Sequence, residues 1–123
     1  MSMKFTIVIP TFNNINYLKL CIESILKNSS TSHQLIIHIN GIDEDTELFL
    51  NQKKILYTKT INNVGLCSGV NLAAKKAVTN YILYAHDDMY FLPNWDTQLE
   101  EEVKKVNHNN FYLSMTHISY MDG

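Results

Sequence analysis

Residues 4–10 read Lys-Phe-Thr-Ile-Val-Ile-Pro, a β-branched, apolar run that stops at Pro10. Such a run, closed by a residue with no N–H to give a sheet ladder, reads as a strand buried on both faces. Working outward, TFNNIN (residues 11–16) is turn-forming, with Asn14 or Asn16 placed to cap a helix. Leu18, Ile22, Ile25 and Leu26 then recur at the spacing of one helical face, and NSSTS (28–32) ends it. QLIIHI (34–39) is a second apolar run, stopped by Asn40-Gly41, after which Asp43 to Thr46 begins a short polar helix carrying Leu48 and Leu50. ILYT (55–58) reads as a third strand. NNVGLCSG (62–69) is a glycine-containing loop feeding a helix with Val70, Ala73, Ala74, Ala77 and Val78 as its packing face. YILYA (81–85) is a fourth strand. Pro93-Asn94 starts a helix with Trp95, Leu99, Val103 and Val106 on one side and Glu100 to Glu102 on the other; FYLSMT (111–116) is a fifth strand. This alternation predicts an α/β fold: a doubly wound, mostly parallel sheet with helices on both faces.

The composition agrees with one globular domain over residues 1–123: hydrophobic residues are 46% and charged residues 18% of the 123. Net charge is −2 and all ten basic residues are Lys, so no dense basic patch exists to grip nucleic acid. No apolar run approaches the ~20 residues that span a bilayer, and the opening MSMKFTIVIP lacks a signal-peptide pattern, which makes the cytoplasm the expected location. Cys21 and Cys67 lack any CxxC or metal-ligand spacing and read as reduced thiols.

In a doubly wound sheet, ligands bind at the carboxyl ends of the strands. The unusual polar residues fall there: Pro10-Thr11-Phe12-Asn13, Asn40-Gly41 and His86-Asp87-Asp88. Two adjacent carboxylates after an apolar strand repel one another and lose solvation, and a divalent cation such as Mg²⁺ or Mn²⁺ is their natural compensation. The plainer alternative is a solvated pair, or an Asp88 that helps form the following turn. Asn62-Asn63-Val64-Gly65 through Gly69-Val70-Asn71 is a second candidate. Glycines admit a ligand to the backbone and carboxamides can read a base or ribose edge. The alternative there is a simple strand-to-helix corner. His86 is a ligand contact or a turn residue. His33, His38, His108 and His117 are dispersed and read as structural, Trp95 as a packing anchor, and Glu100 to Glu102 as a solvated face. No GxxxxGK[ST], GxGxxG, GxSxG or HExxH motif is present.

Together these pieces resemble the nucleotide-sugar-binding half of a family 2 glycosyltransferase with the GT-A fold. The resemblance lies in TIVIPTFNN, in Asn63-Val64-Gly65-Leu66 followed by Gly69-Val70-Asn71, and in YILYAHDDMYFLPNW, over about residues 4–103. It implies an enzyme that moves a sugar from a nucleotide-sugar, often a UDP-sugar, to a glycan or lipid-linked acceptor by inverting displacement. A lipid-linked acceptor would set the protein at the periphery of a membrane. By the same resemblance Pro10, Thr11, Phe12 and Asn13 border the nucleoside. Asn40 sits where the family usually carries a base-contacting Asp, and Asn63, Gly65 and Asn71 line the nucleoside pocket. His86 and Asp87 lie against the donor, and Asp87 and Asp88 hold Mn²⁺ or Mg²⁺ on the diphosphate, Asp88 directly. Two positions depart from the family pattern: Asn40 brings no charge, and Ala85-His86 stands ahead of the Asp pair in place of a leading Asp. Family members usually extend well past this length, and no general base stands out among residues 1–123, so the chain reads as the N-terminal part of a longer glycosyltransferase domain.

Two other classes compete. One is a non-catalytic nucleotide-binding or self-associating module derived from the same fold, which an exposed sheet edge would favour. The other is a nucleotidyltransferase, against which TFNNINYLK lacks a glycine-rich basic signature.

Overall fold

A computed structural model describes residues 4–105 and, for the backbone, residues 118–120. In chain order the elements are β1 (Phe5–Thr11), α1 (Ile15–Asn28), β2 (Gln34–Asn40), α2 (Glu44–Lys53), β3 (Leu56–Thr60), α3 (Leu66–Ala74), β4 (Tyr81–Tyr84), β5 (Met89–Phe91), α4 (Trp95–Lys104) and β6 (Ile118–Tyr120). Four strands form a parallel sheet in the order β3-β2-β1-β4. β5 and β6 form a separate antiparallel ribbon. The expected strand at residues 111–116, together with Val106, His108 and His117, lies outside the described residues.

β1 runs past the expected stop at Pro10, which pairs with His38, to Thr11, and all seven of its residues are buried. Successive side chains alternate between the two faces. Ile7, Ile9, Ile37 and Ile39 pack on one face with Leu18, Cys21, Ile22 and Ile25 of α1, Leu50 of α2 and Trp95, Leu99 and Val103 of α4. Val8 and Ile36 point to the other face and meet Ala73, Val70 and Ala74 of α3. The sheet is therefore covered on both sides, and each fully buried Ile contributes about 1.5–3 kcal/mol.

α1 buries Ser24 and leaves Leu26 68% exposed, correcting the expected apolar face. The buried arc is centred nearer Cys21 and extends to Ser24 because β5 needs partners there. Ser24 Oγ accepts from the N–H of Phe91 at 2.9 Å, and Asn28 Nδ2 donates to the Phe91 carbonyl at 2.6 Å. Side chains of α1 thus bond the backbone of this short strand.

α3 starts at Leu66 and ends at Ala74, so Ala77 and Val78 lie beyond it and Val78 is 82% exposed. Gly69 falls inside the helix, where a Cβ would stand 2.8 Å from His38 Cδ2. A side chain there would push α3 off the sheet, so the glycine serves close packing and not a turn.

Trp95 is the anchor its position suggested. It meets Phe91 edge-on at 4.8 Å between ring centroids and donates Nε1–H to Ser29 Oγ at 3.0 Å. Beside it the buried Asp96 carboxylate accepts from Ser30 N, Ser30 Oγ, Thr31 N and His33 Nε2. Burial alone would raise the Asp96 carboxyl, but the hydrogen bonds from His33, Ser30 and Thr31 outweigh it and hold it below the usual range. Among the described residues no helix is long and apolar enough to cross a membrane.

Candidate functional site

The carboxyl ends of β1, β2 and β4 open into one pocket of about 320 Å³. It is lined by Pro10, Thr11, Phe12, Asn14, Asn40, Asn63, Gly65, Leu66, His86 and Asp87. Four separate chain segments, residues 10–14, 40, 63–66 and 86–87, converge there because parallel strands deliver their carboxyl ends to the same edge.

From β1, Thr11 is buried and Phe12 is 53% exposed at the rim. The chain then turns through Asn13, whose φ of 47° is a left-handed conformation that Asn tolerates. Asn14 occupies the N-cap of α1 without a side-chain capping bond. Its side chain hydrogen-bonds Asp87 instead, so a local cap is given up for a contact across the site.

From β4, the chain bends at His86, and the Met89 N–H closes a turn on the His86 carbonyl at 3.3 Å. Asp87 and Asp88 are the two corner residues of that turn. Thr11 Oγ1 donates to Asp87 Oδ2 at 2.8 Å. Burial pushes the Asp87 carboxyl up. Bonds from Thr11 and Asn14 and the nearby His86 oppose that rise, the Asp88 charge adds to it, and the net direction is up. The same two carboxylates act on Cys21 beneath the turn. Burial first, then Asp87 and Asp88, push its thiol up to about 12, so it stays protonated and donates to the His86 carbonyl at 3.7 Å. Tyr84 and His86 pair through Tyr84 Oη and His86 Nδ1 at 3.2 Å, with the rings edge-on.

From β2 and the 61–65 loop, Asn40 is only 3% exposed. Gly65 holds φ 86° at the N-cap of α3, and its N–H donates to Asn63 Oδ1 at 2.8 Å. That positive φ strains any residue with a Cβ.

The structure therefore gathers Pro10, Thr11, Phe12, Asn40, Asn63, Gly65, His86 and Asp87 into one wall. Asn13, Asn71 and Asp88 are not among its lining residues. Asn71 is exposed on α3, and Asp88 flanks the pocket at the turn. Asn14 and Leu66 line it without having been singled out in the sequence: Asn14 reads there as a helix cap and Leu66 as a loop apolar. His33 and His38 serve the fold through Asp96, Thr58 and Thr60.

Residues 6–123 match the sequence family described as Glycosyl transferase family 2. The chain belongs to that family. Two similar proteins, each described as an uncharacterized glycosyltransferase, come from Rickettsia bellii and Rickettsia felis. The first is 31% identical over 123 residues, covering 97% of this chain and 17% of the relative. The second is 30% identical over 121 residues, covering 95% and 19%. The chain thus spans less than a fifth of the length of either. Among solved structures, S. aureus TarS 1-349 superposes with a TM-score of 0.73 at 17% identity, over 84% of this chain and 33% of that one. S. aureus TarS 1-349 in complex with UDP gives 0.68 at 18% identity, over 82% and 31%. These likenesses establish a GT-A fold for this family 2 chain.

Proposed function

We propose that this chain binds a nucleotide-sugar donor, a UDP-sugar, for a glycosyltransferase, and that the pocket at the ends of β1, β2 and β4 is the donor site. One observation carries the reading: Pro10, Thr11, Phe12, Asn40, Asn63, Gly65, His86 and Asp87 share a single cavity of about 320 Å³. That is within the range of small-ligand pockets, roughly 300–1,000 Å³. Family membership and the UDP complex of TarS, a protein of the same fold, support the choice of donor.

The donor set at the β4 turn fits a divalent cation held by few protein ligands. Among the described residues no three His, Cys, Asp or Glu side chains are grouped as a metal cage. Two neighbouring carboxylates, one of them raised by burial and by its neighbour, suit a hard cation that completes its shell with ligand oxygens. Asp87 and Asp88 would hold it, Asp88 directly. Such a cation, when bound, neutralises charge developing on a diphosphate leaving group.

The chain's own residues do the positioning. Phe12 offers a ring face at the rim to a nucleobase. Asn63 and the backbone at Gly65 border the nucleoside. Thr11 and Asn14 fix the Asp87 carboxylate, and His86 borders the diphosphate end. His86 and Asp87 are the titratable side chains lining the pocket, and neither is assigned as the base for an acceptor hydroxyl. The acceptor, a glycan or a lipid-linked molecule, and the inverting course of transfer belong to the whole protein's proposed activity.

Amide chemical shifts recorded during titration with UDP and Mg²⁺ test the site. Shifts concentrated at residues 10–14, 40, 63–66 and 86–88 are expected. Saturable shifts elsewhere, or none at millimolar UDP, contradict the reading.

A further inference from the structure

Asn40 ends β2 on the face that carries α3, and its side chain is used internally at both ends. Its Oδ1 accepts from the Val64 N–H at 3.3 Å, and its Nδ2 donates to the Gly65 carbonyl at 3.4 Å. The orientation of the carboxamide follows from chemistry: flipped, its NH₂ would face an N–H and its oxygen a carbonyl. Both bonds are long, so each is weak alone. They act with the 2.8 Å bond from the Gly65 N–H to Asn63 Oδ1 and the 2.7 Å bond from Thr60 Oγ1 to the Asn62 carbonyl. Four side-chain bonds thus converge on the backbone of residues 62–65. Asn40 is 3% exposed, and Nδ2 would stand 3.3 Å from a Cβ at Gly69, so α3 closes over it.

We infer that Asn40 is a positioning residue that builds the loop wall of the pocket and acts on a bound ligand through residues 64 and 65, not by reading the nucleobase itself. Discrimination among bases then rests on that wall and on what borders it. The inference rests on the nucleotide-binding reading for its ligand half and on hydrogen bonding alone for its structural half.

Asn40→Asp tests it because it keeps an acceptor for Val64 and replaces the donor to Gly65 with a carboxylate facing a carbonyl. Asn40→Ala removes both. Without any ligand, amide exchange at Val64 is expected to quicken at least about tenfold in Asn40→Ala and to stay near wild type in Asn40→Asp. The Gly65 amide shift is expected to move in both. In calorimetry with Mg²⁺, Asn40→Asp is expected to weaken UDP, CDP and GDP by a common factor, about tenfold, leaving their order unchanged. Unchanged Val64 exchange in Asn40→Ala overturns the clamp. A reordering of UDP, CDP and GDP in Asn40→Asp, with loop amides unmoved, overturns it in favour of direct base contact. If the wild type binds no nucleotide, the donor-site reading fails, and the exchange data still decide the clamp. Should Asn40→Ala not fold, the Gly65 shift and nucleotide order in Asn40→Asp decide alone.

Discussion

The hydroxyl of Thr11 donates to Oδ2 of Asp87 at 2.8 Å, tying the end of β1 to the turn that follows β4. The two residues are far apart in sequence and meet only because β1 and β4 are adjacent parallel strands, paired from Phe5↔Tyr81 to Val8↔Tyr84. The bond fixes one carboxylate of the proposed cation site before any ligand arrives. Thr11→Val keeps the shape and removes the donor. Loss of about tenfold in Mg²⁺-dependent UDP affinity is expected, with a stability change under about 1.5 kcal/mol. Calorimetry and urea melts check it; unaltered affinity would show that Asp87 needs no such support.

Gly69 predicts a packing penalty. Gly69→Ala should gain about 1 kcal/mol of helix propensity. The added methyl meets the buried His38 ring at 2.8 Å, and such overpacking costs about 1–3 kcal/mol. Net destabilisation is expected in chemical denaturation. A more stable variant would contradict the close approach of α3.

Acid sensitivity should arise at Asp96. Its folded carboxyl lies below the usual range, so the stability it contributes is present above its unfolded pKa of about 3.9 and is lost as pH falls through the folded value. Asp96→Asn should lower stability at pH 7 by about 2–4 kcal/mol and flatten the decline below about pH 4. Melts across pH 2.5–7 measure both. An equally steep acid limb in the variant would assign it to other carboxylates.

His38 predicts a separate, milder limb. Burial holds its imidazole below the ordinary value, against a bond with Asn40 that raises it. Thr60 gives its proton to the Asn62 carbonyl, so His38 Nε2–H donates to Thr60 and Nδ1 accepts from Thr58. The neutral ring suits that relay. A lowered folded pKa means full stability above the unfolded value of about 6.5 and a loss as pH falls below it. His38→Gln should be less stable at pH 8 yet lose less between pH 7 and 5 than wild type.

The main strands were legible because a strand buried on both faces must be apolar throughout, as IVI in β1 and LII in β2 are. The site's outline was legible because polar residues such as Asp87 stand out at the end of such runs. Other features depend on distant partners. β5 is three residues long and held by Ser24 and Asn28 from α1, a pairing no local pattern announces. Asn14 reads as a helix cap until Asp87 is placed beside it. Gly69 reads as a loop residue until His38 is seen beneath it.

The central claim is that the Asp87–Asp88 turn and the asparagine loop together hold a cation-bound nucleoside diphosphate. Calorimetric titration of UDP with and without Mn²⁺, on wild type and Asp88→Ala, addresses it most directly. The account predicts saturable binding in the wild type that weakens at least about tenfold without Mn²⁺ or in Asp88→Ala. Equal affinity in all of these conditions, or no binding in the wild type, would contradict it.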